Sequence, residues 1–415
     1  MFETTSGLGH MRRSAGIANA LVLAGANVRV ASGTFVDREN FFRSNIRFID
    51  LPEHRVYNKK LNIWYHYDNK GRKVQDHDFD EKAWRTNRDD VIIKALEEEP
   101  VHAVLVEFWP FSRRREFSST IDRISKINIG KLGKPLIFSS SRDILETANS
   151  MKKSAEQIDK EQRKTVELIQ KYVDRVFIHG DSKLVRLEQE FKFWKQIASK
   201  VLYTGYVVDD KAKPNPEHKR RDRVVVSVGS GSAGLGLILA AARTRPHTDL
   251  RQHNWIYILG PRMQPEEKIR ARKEIQELEK TQRGLLGKTE IHDHRPDLPK
   301  LLSSAGFSIS LGGYNTTLEI LVSGAPGVLV PKFVERKQQK PWTDAEQKLR
   351  LIKLAKKGFV HMAYPNTAIK APNFGGLINR AYKERNSRAT LDFNGAGNTA
   401  RIVLEQIQKR FQISP

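Results

Sequence analysis

The chain has 415 residues, with 72 Lys and Arg against 48 Asp and Glu, a formal net charge of +24 and a pI near 10.0. That length suggests about two or three domains, and a hydrophobic content of 39% with 8% aromatics supports sizeable cores and argues against global disorder. With no Cys, disulfides, thiolate nucleophiles and Cys-bound metals are excluded, while the positive field favours anionic partners: nucleotide phosphates, phospholipid surfaces, nucleic acid or acidic glycans.

Phe2 to Thr5 reads as a short strand and Ser6-Gly7-Leu8-Gly9-His10 as a Gly-rich turn. Met11, Ala15, Ala18, Leu21 and Val22 then recur at helical spacing until Gly25, and Asn27 to Ala31 follows as a strand. So short a first strand implies either that the chain starts downstream of the ancestral start or that this edge is weakly built. Arg12 and Arg13 before an apolar stretch, with Ala24-Gly25-Ala26 behind it, imitate a secretory signal. Asn19 inside the stretch and the Gly-rich turn ahead of it favour a globular helix. His10, at the opening of that helix, can exchange a proton near neutral pH, and equally serves as a cap or a solvent-facing side chain.

Apolar runs at Ile46–Asp50, His102–Trp109, Leu136–Ser139, Arg175–Ile178 and Val201–Tyr203 alternate with helical stretches near Asn87–Glu99, Ser118–Gly130, Ser150–Tyr172 and Lys183–Phe193. That alternation predicts a parallel sheet covered on both faces, with ligands beyond the carboxyl ends of its strands. Glu53 to Trp84 breaks the rhythm and reads as a long loop. Asp76, Asp78 and Asp80 within it resemble the opening of a calcium loop, but Glu81 stands where such a loop needs Gly. Ser140-Ser141-Arg142-Asp143 follows a strand, so Asp143 is a candidate base, or else half of an Arg–Asp pair or a helix cap.

Asp209 to Arg223, with Pro214, Pro216 and many basic residues, reads as an exposed linker, after which the pattern restarts. Val224 to Val228 is a strand, Gly229-Ser230-Gly231-Ser232-Ala233-Gly234 a glycine turn and Leu235 to Arg243 a helix. The hexapeptide fits the dinucleotide fingerprint, which expects an acid closing the next strand. Asn254–Leu259 instead ends in Gly260-Pro261-Arg262, and the redox reading loses its support. No G-x-S-x-G elbow fits Ser230 or Ser232. Gln264–Gln282 is a charged helix, Thr289–His292 a strand and Pro296–Ala305 a helix. His292-Asp293-His294 lacks a third ligand cluster and reads as loop histidines.

Leu311-Gly312-Gly313-Tyr314-Asn315-Thr316-Thr317-Leu318-Glu319 stands between apolar runs at Gly306–Ser310 and Val328–Pro331. Paired glycines let the backbone approach a ligand, and the helix start behind them offers N–H groups with partial positive charge, a seat for phosphate. Glu319, one turn in, faces the same mouth. The same residues also fit a capping box, Thr316 with Glu319, that needs no ligand. After Pro331 a basic loop runs through Lys340. Thr343-Asp344-Ala345-Glu346-Gln347 then opens a helix to Lys357, with Thr343 and Glu346 as a second capping box and Gln347 freer to reach a ligand. Gly358–Tyr364 is a short last strand, and Ala400, Val403, Leu404, Ile407 and Phe411 make an apolar stripe suited to packing on another surface.

Two Gly-turn α/β halves, a basic linker, Gly312-Gly313-Tyr314-Asn315-Thr316-Thr317-Leu318-Glu319-Ile320-Leu321 and the later Glu346-Gln347 resemble the GT-B glycosyltransferases. Gly7-Leu8-Gly9-His10-Met11-Arg12-Arg13, Arg142-Asp143-Ile144, Tyr172-Val173-Asp174-Arg175-Val176 and Tyr203-Thr204-Gly205-Tyr206-Val207 are similar to signatures of uncharacterised bacterial glycosyltransferases related to the peptidoglycan N-acetylglucosaminyltransferase. The resemblance extends to about Tyr364 and is specific for the superfamily, not for the substrate.

The resemblance implies an α/β fold of two Rossmann-like domains facing each other across a cleft. Residues 1–208 would form an acceptor-binding domain with a truncated first strand, 209–222 a linker, 223–395 a nucleotide-sugar-binding domain and 396–415 a C-terminal helix. It implies metal-independent, inverting transfer of a sugar from a nucleotide sugar, taken as UDP-linked, to a glycan, lipid or small-molecule acceptor. No cofactor is needed, since the nucleotide sugar is a substrate. Gly312, Gly313, Asn315, Thr316 and Thr317 would face the diphosphate, with Ser230, Gly231 and Arg262 adding phosphate contacts. Glu319 would meet the ribose, and Glu346 and Gln347 the donor sugar. His10 and Asp143 would be the catalytic groups, with Gly9, Arg12 and Arg142 on the acceptor side.

The implied location is cytoplasmic, peripheral on the inner face of the plasma membrane where the acceptor is a lipid, with no nucleic-acid partner. The basic residues around Lys332 to Lys340 depart from the family pattern and suit an anionic acceptor or membrane surface. A nucleotide-sugar epimerase and a non-catalytic binder of anionic lipid or nucleic acid are the alternatives.

Overall fold

The computed structural model describes residues 2–4, 8–33, 38–58, 63–67, 73–111, 114–128, 133–145, 153–208, 221–229, 234–336, 339–384 and 390–412. They fall into two compact units, Met1–Val207 with Leu391–Pro415, and Val208–Thr390. Most of the expected linker, 209–220, lies outside the described residues.

The strands of the first unit are β1 (Phe2–Thr4), β2 (Arg29–Ser32), β3 (Arg47–Asp50), β4 (Val56–Asn58), β5 (Ile63–Tyr67), β6 (Lys73–Asp76), β7 (Ala103–Glu107), β8 (Leu136–Arg142), β9 (Arg175–His179) and β10 (Val201–Tyr203). β1, β2 and β3 pair in parallel, as do β7, β8, β9 and β10 in that order, and β1 packs beside β7. Alternation along each central strand divides the apolar side chains between two faces. Val104, Val106, Ile137, Val176 and Ile178 meet Ile92, Leu96, Ile121, Val166 and Ile169 of the helices Glu81–Glu98, Arg114–Ile124 and Ala155–Tyr172. Leu105, Phe138 and Phe177 face Met11, Ala15 and Ala18 of the helix Leu8–Leu23.

The helix Gly395–Phe411 covers that second face too, burying Ala400 and Val403 there, with Ile407 and Phe411 at its margin. Its entry is close-packed: a Cβ on Gly395 would stand 2.4 Å from the carbonyl oxygen of Gly205.

Two expectations fail in this unit. Glu53–Trp84 is not a loop: β4, β5 and β6 form an antiparallel sheet, pairing Tyr57 with Trp64 and His66 with Val74. Its strands are too short and aromatic for an alternation signal to stand out, and the next helix begins early, at Glu81, because Asp80 accepts from the N–H groups of Lys82 and Ala83. The helix expected over Lys183–Phe193 shrinks to Leu187–Glu190. Asp181 takes the Lys183 N–H at 2.8 Å in a side-chain turn that competes with helix formation.

The second unit contains β11 (Arg221–Ser227), β12 (Asn254–Ile258), β13 (Thr289–His292), β14 (Ala305–Leu311), β15 (Gly327–Val330), β16 (Phe333–Arg336), β17 (Gln339–Thr343) and β18 (His361–Met362). Six of them form one parallel sheet in the order β13-β12-β11-β14-β15-β18. Counted within the sheet this is 3-2-1-4-5-6, the doubly wound order, which reverses direction between β11 and β14. Val224, Val226, Trp255, Tyr257, Phe307, Ile309, Val328 and Val330 pack on the helices Leu235–Thr244, Pro265–Thr281 and Ala371–Glu384. The segment after Pro331, expected as a loop, contains the antiparallel hairpin β16–β17.

Candidate functional site

In the second unit the switch point is built from two glycine turns. Ser227 on β11 and Ser310 on β14 lie in register with their Oγ atoms 2.9 Å apart. Beyond them the chain turns at Gly229, at φ +62°, and at Gly312-Gly313. A Cβ on Gly229 would stand 3.8 Å from Thr316 Oγ1, so the two turns adjoin. Ser230 and Gly231 lie outside the described residues.

The two glycines of the second turn differ. A Cβ on Gly312 would reach 2.5 Å from Leu351 Cδ1, so Gly312 is there for packing. Around the corresponding position on Gly313 no atom of the described residues lies within 4 Å. Gly313 is the N-cap of the helix Tyr314–Ser323, with φ −61° and ψ 152°, and no side chain among the described residues caps that end. The capping box expected between Thr316 and Glu319 is therefore absent: Thr316 is the third residue of the helix, past the capping position. What remains is a helix start carrying partial positive charge and opening at the carboxyl edge of the sheet.

The surrounding polar residues are placed by the same edge. Asn315 is half-buried, while Thr316, Thr317 and Glu319 are buried, Glu319 at 3% exposure. Thr317 Oγ1 has no hydrogen-bond partner among the described residues. Arg262, half-buried, follows the end of β12 two residues after Gly260, whose φ of +88° turns the chain. The helix Ala345–Lys356 is capped by Asp344, which accepts from the Gln347 N–H at 2.9 Å, so the capping box expected at Thr343 is corrected.

Gln347, expected to be freer, accepts through Oε1 from the Lys332 N–H just beyond β15 at 2.8 Å, which leaves its amide nitrogen for a ligand. Glu346 accepts from Arg350 at 2.6 Å, and the Arg350 guanidinium lies 5.1 Å from the Tyr314 ring centroid. Leu351 and Arg350 thereby hold this helix against the Gly312–Tyr314 turn.

A second polar cluster belongs to the first unit and lies at the carboxyl ends of β7, β8 and β9. Glu107 closes β7 at 1% exposure. His10 Nδ1 is 2.8 Å from Glu107 Oε1, and Arg13 donates to the same oxygen. A carboxylate only accepts, so a neutral His10 must carry its proton on Nδ1 and its lone pair on Nε2. Nε2 has no hydrogen-bond partner among the described residues, and the His10 side chain is 22% exposed. Burial lowers the pKa of His10 below the ordinary value; Glu107 opposes this, and Arg13 and Arg142 add to it.

Phe108, at φ +60°, turns the chain out of β7, and its ring meets His10 edge-on at 6.1 Å and Arg142 at 4.7 Å. Beneath, the fully buried His179 is fixed between Ser140 Oγ and Thr204 Oγ1, each at 2.8 Å, and burial pushes its pKa down to about 3.

Of the residues expected here, His10 and Arg142 are in this cluster. Gly9 lies in the first turn of the same helix as His10, and Arg12 stacks on Phe41 at 5.3 Å. Asp143 is buried against Gly180, with one oxygen accepting from the Ile144 N–H at 2.9 Å. The carboxylate bonded to His10 is Glu107, which sequence reasoning absorbed into the apolar run of β7. An acid closing such a run, at a sheet's ligand edge, was the available signal. Among the described residues no three His, Asp or Glu side chains are placed to hold a metal ion, and no helix is long and apolar enough to cross a membrane.

No protein-family model and no curated protein matches the chain. Solved structures match it end to end. The calicheamicin glycosyltransferase CalG4 is 14% identical, over 100% of this chain and 98% of that one, with a TM-score of 0.58. MurG of Acinetobacter baumannii is 12% identical, over 99% and 98%, with a TM-score of 0.54. A UDP-glucosyltransferase from Polygonum tinctorium capable of glucosylating indoxyl is 15% identical, over 100% and 98%, with a TM-score of 0.59. These are GT-B glycosyltransferases, and the chain has the GT-B fold, with two Rossmann-like domains.

Proposed function

We propose that the protein is a glycosyltransferase that moves a sugar from a nucleotide-sugar donor to an acceptor hydroxyl. The observation that carries this reading is the helix start at Gly313, which no side chain among the described residues caps or fills, at the switch point of a doubly wound sheet. Gly313 and the amides that follow it are assigned to the donor's diphosphate, with Thr316, Thr317 and Arg262 around it. Glu319 is assigned to the ribose, and Glu346 with the Gln347 amide nitrogen to the donor sugar. A uridine nucleotide is proposed because a solved structure of this fold is described as a complex with UDP.

The first unit is assigned the acceptor and the base. His10 Nε2 takes the acceptor proton as its oxygen attacks the anomeric carbon, the bond from that carbon to the diphosphate oxygen breaks, and the electron pair leaves with the nucleoside diphosphate. Glu107 holds Nδ1–H and steadies the imidazolium that forms. Direct displacement inverts the anomeric carbon. Backbone amides and the helix N-terminus, rather than a divalent ion, meet the departing charge, and activity retained in excess EDTA checks this. Asp143 is assigned to shaping the end of β8. The net charge of +24 suits an anionic acceptor or a membrane-surface lipid.

The test is thermal unfolding against a panel of nucleotides and nucleotide sugars, followed by acceptor screening with anomeric analysis by NMR. Ligand at a hundred times its Kd stabilises the fold by about 2.7 kcal/mol. A donor that is interconverted without an acceptor supports an epimerase instead. Steeply salt-dependent binding of polyanions with no nucleotide-sugar preference removes the enzymatic reading.

A further inference from the structure

Arg13 is an Arg in an unusual place: 2% exposed, on the first turns of a helix, with its guanidinium on the carboxylate oxygen that also holds His10. Its nitrogen approaches His10 Nδ1 to 3.5 Å, and because that nitrogen carries the proton donated to Glu107, the approach is a charge contact rather than a bond. Among the described residues, the charges acting on His10 are Glu107 at the end of β7, Arg13 on its own helix and Arg142 at the end of β8, while His179 on β9 is neutral.

A buried carboxylate alone beside an imidazole favours the ion pair, in which the imidazole already holds the proton it is meant to accept. Arg13 is charged at every working pH and cancels the charge of Glu107 before His10 is counted. A second proton on His10 would then leave a net positive charge in a buried cluster, with Arg142 adding to it.

We infer that Arg13 is a positioning residue: by sharing Glu107 Oε1 with His10 it balances that carboxylate and keeps the resting imidazole neutral, with its lone pair on Nε2. The inference rests on the reading of His10 as the base, and it concerns what makes that base available. Glu107 alone fixes the tautomer; Arg13, offsetting Glu107, adds to burial in keeping the imidazole neutral.

The experiment is a histidine-selective NMR titration of the full chain, in which the His10 signal among 12 histidines is assigned by its loss in His10→Gln. Arg13→Gln is expected to raise the His10 pKa by about one unit or more, and Arg13→Lys, which keeps the charge, to leave it near the wild-type value. Glu107→Gln, which leaves Arg13 facing His10, is expected to move it the opposite way. Where transfer is measurable, the acid limb of kcat/KM follows the same displacements.

A shift smaller than about 0.3 unit in Arg13→Gln overturns the inference and makes Arg13 a structural pin. Should Arg13→Gln fail to fold, an unmoved His10 titration in Glu107→Gln overturns it equally. A protein that transfers no sugar still gives the titration, so loss of the functional reading and loss of this one are separate results.

Discussion

Ser227 and Ser310, paired across β11 and β14 with their hydroxyl oxygens 2.9 Å apart, stand below the glycine turns that begin at Gly229 and Gly312. Small side chains keep these strand ends low, and the two glycines of the second turn then do different jobs. Gly312→Ala forces a Cβ to 2.5 Å from Leu351 and is expected to destabilise the second unit by about 1–3 kcal/mol, through overpacking. Gly313→Ala meets no atom of the described residues within 4 Å, at a φ of −61° that Ala accepts, so the melting temperature should hardly move. Its donor affinity should nonetheless fall, because the methyl occupies the approach to the helix amides. Calorimetric unfolding beside nucleotide-sugar titration separates the two, and a Gly313→Ala variant that binds donor as wild type does would remove Gly313 from the site.

The ion pair between Glu346 and Arg350 is nearly sealed, and breaking one side takes a counter-charge away from a buried group. Arg350→Met is expected to cost about 3–5 kcal/mol, with loss of the Tyr314 contact included. Adding Glu346→Leu to it should restore most of the stability while donor binding stays impaired. Urea unfolding of the two single variants and the double variant reads this directly, and a double variant as unstable as Arg350→Met would show that the penalty is packing and not charge.

The alternation of apolar runs with helical stretches was enough to read the doubly wound sheets, because parallel strands buried on both faces carry apolar runs such as Val224–Val226 of β11 and Val176–Ile178 of β9. The switch-point turn was legible for a similar local reason: Gly312-Gly313 at the end of an apolar run leaves few alternatives. The sheet β4–β6 was not legible, since strands of three to five residues are too short for alternation to show, and in β5 aromatic residues fall on both faces. Glu107 was missed because its partner His10 is 97 residues away, and nothing local marks a strand-ending acid as a hydrogen-bond acceptor for one particular helix. The place of the C-terminal helix was missed too. An amphipathic stripe states that a face will be covered, not by what.

That helix gives a prediction of its own. Ending the chain after Thr390 removes Ala400 and Val403 from the core around Met11 and Ala15, and removes Asp392, whose carbonyl accepts from the Tyr206 N–H at 2.7 Å. The first unit is expected to lose cooperative unfolding and to bind apolar dyes, while the second unit keeps its own transition. Two transitions unchanged from wild type in a calorimetric scan would contradict the packing described.

His179 makes the first unit sensitive to acid. Its pKa is pushed down to about 3 by burial, against an ordinary value of 6.5 that the unfolded chain regains. Between those values the unfolded state binds the extra proton and the native state does not, so stability rises with pH there. The contribution is fully present above pH 6.5 and is lost as the pH falls toward about 3, at about 1.4 kcal/mol per pH unit within the window. Replacing His179 with Gln keeps an amide able to face Ser140 and Thr204 and carries no titration. Urea unfolding from pH 7 to pH 5 should therefore show a smaller loss in His179→Gln than in the wild type. Parallel losses in the two proteins would place the acid sensitivity in other groups.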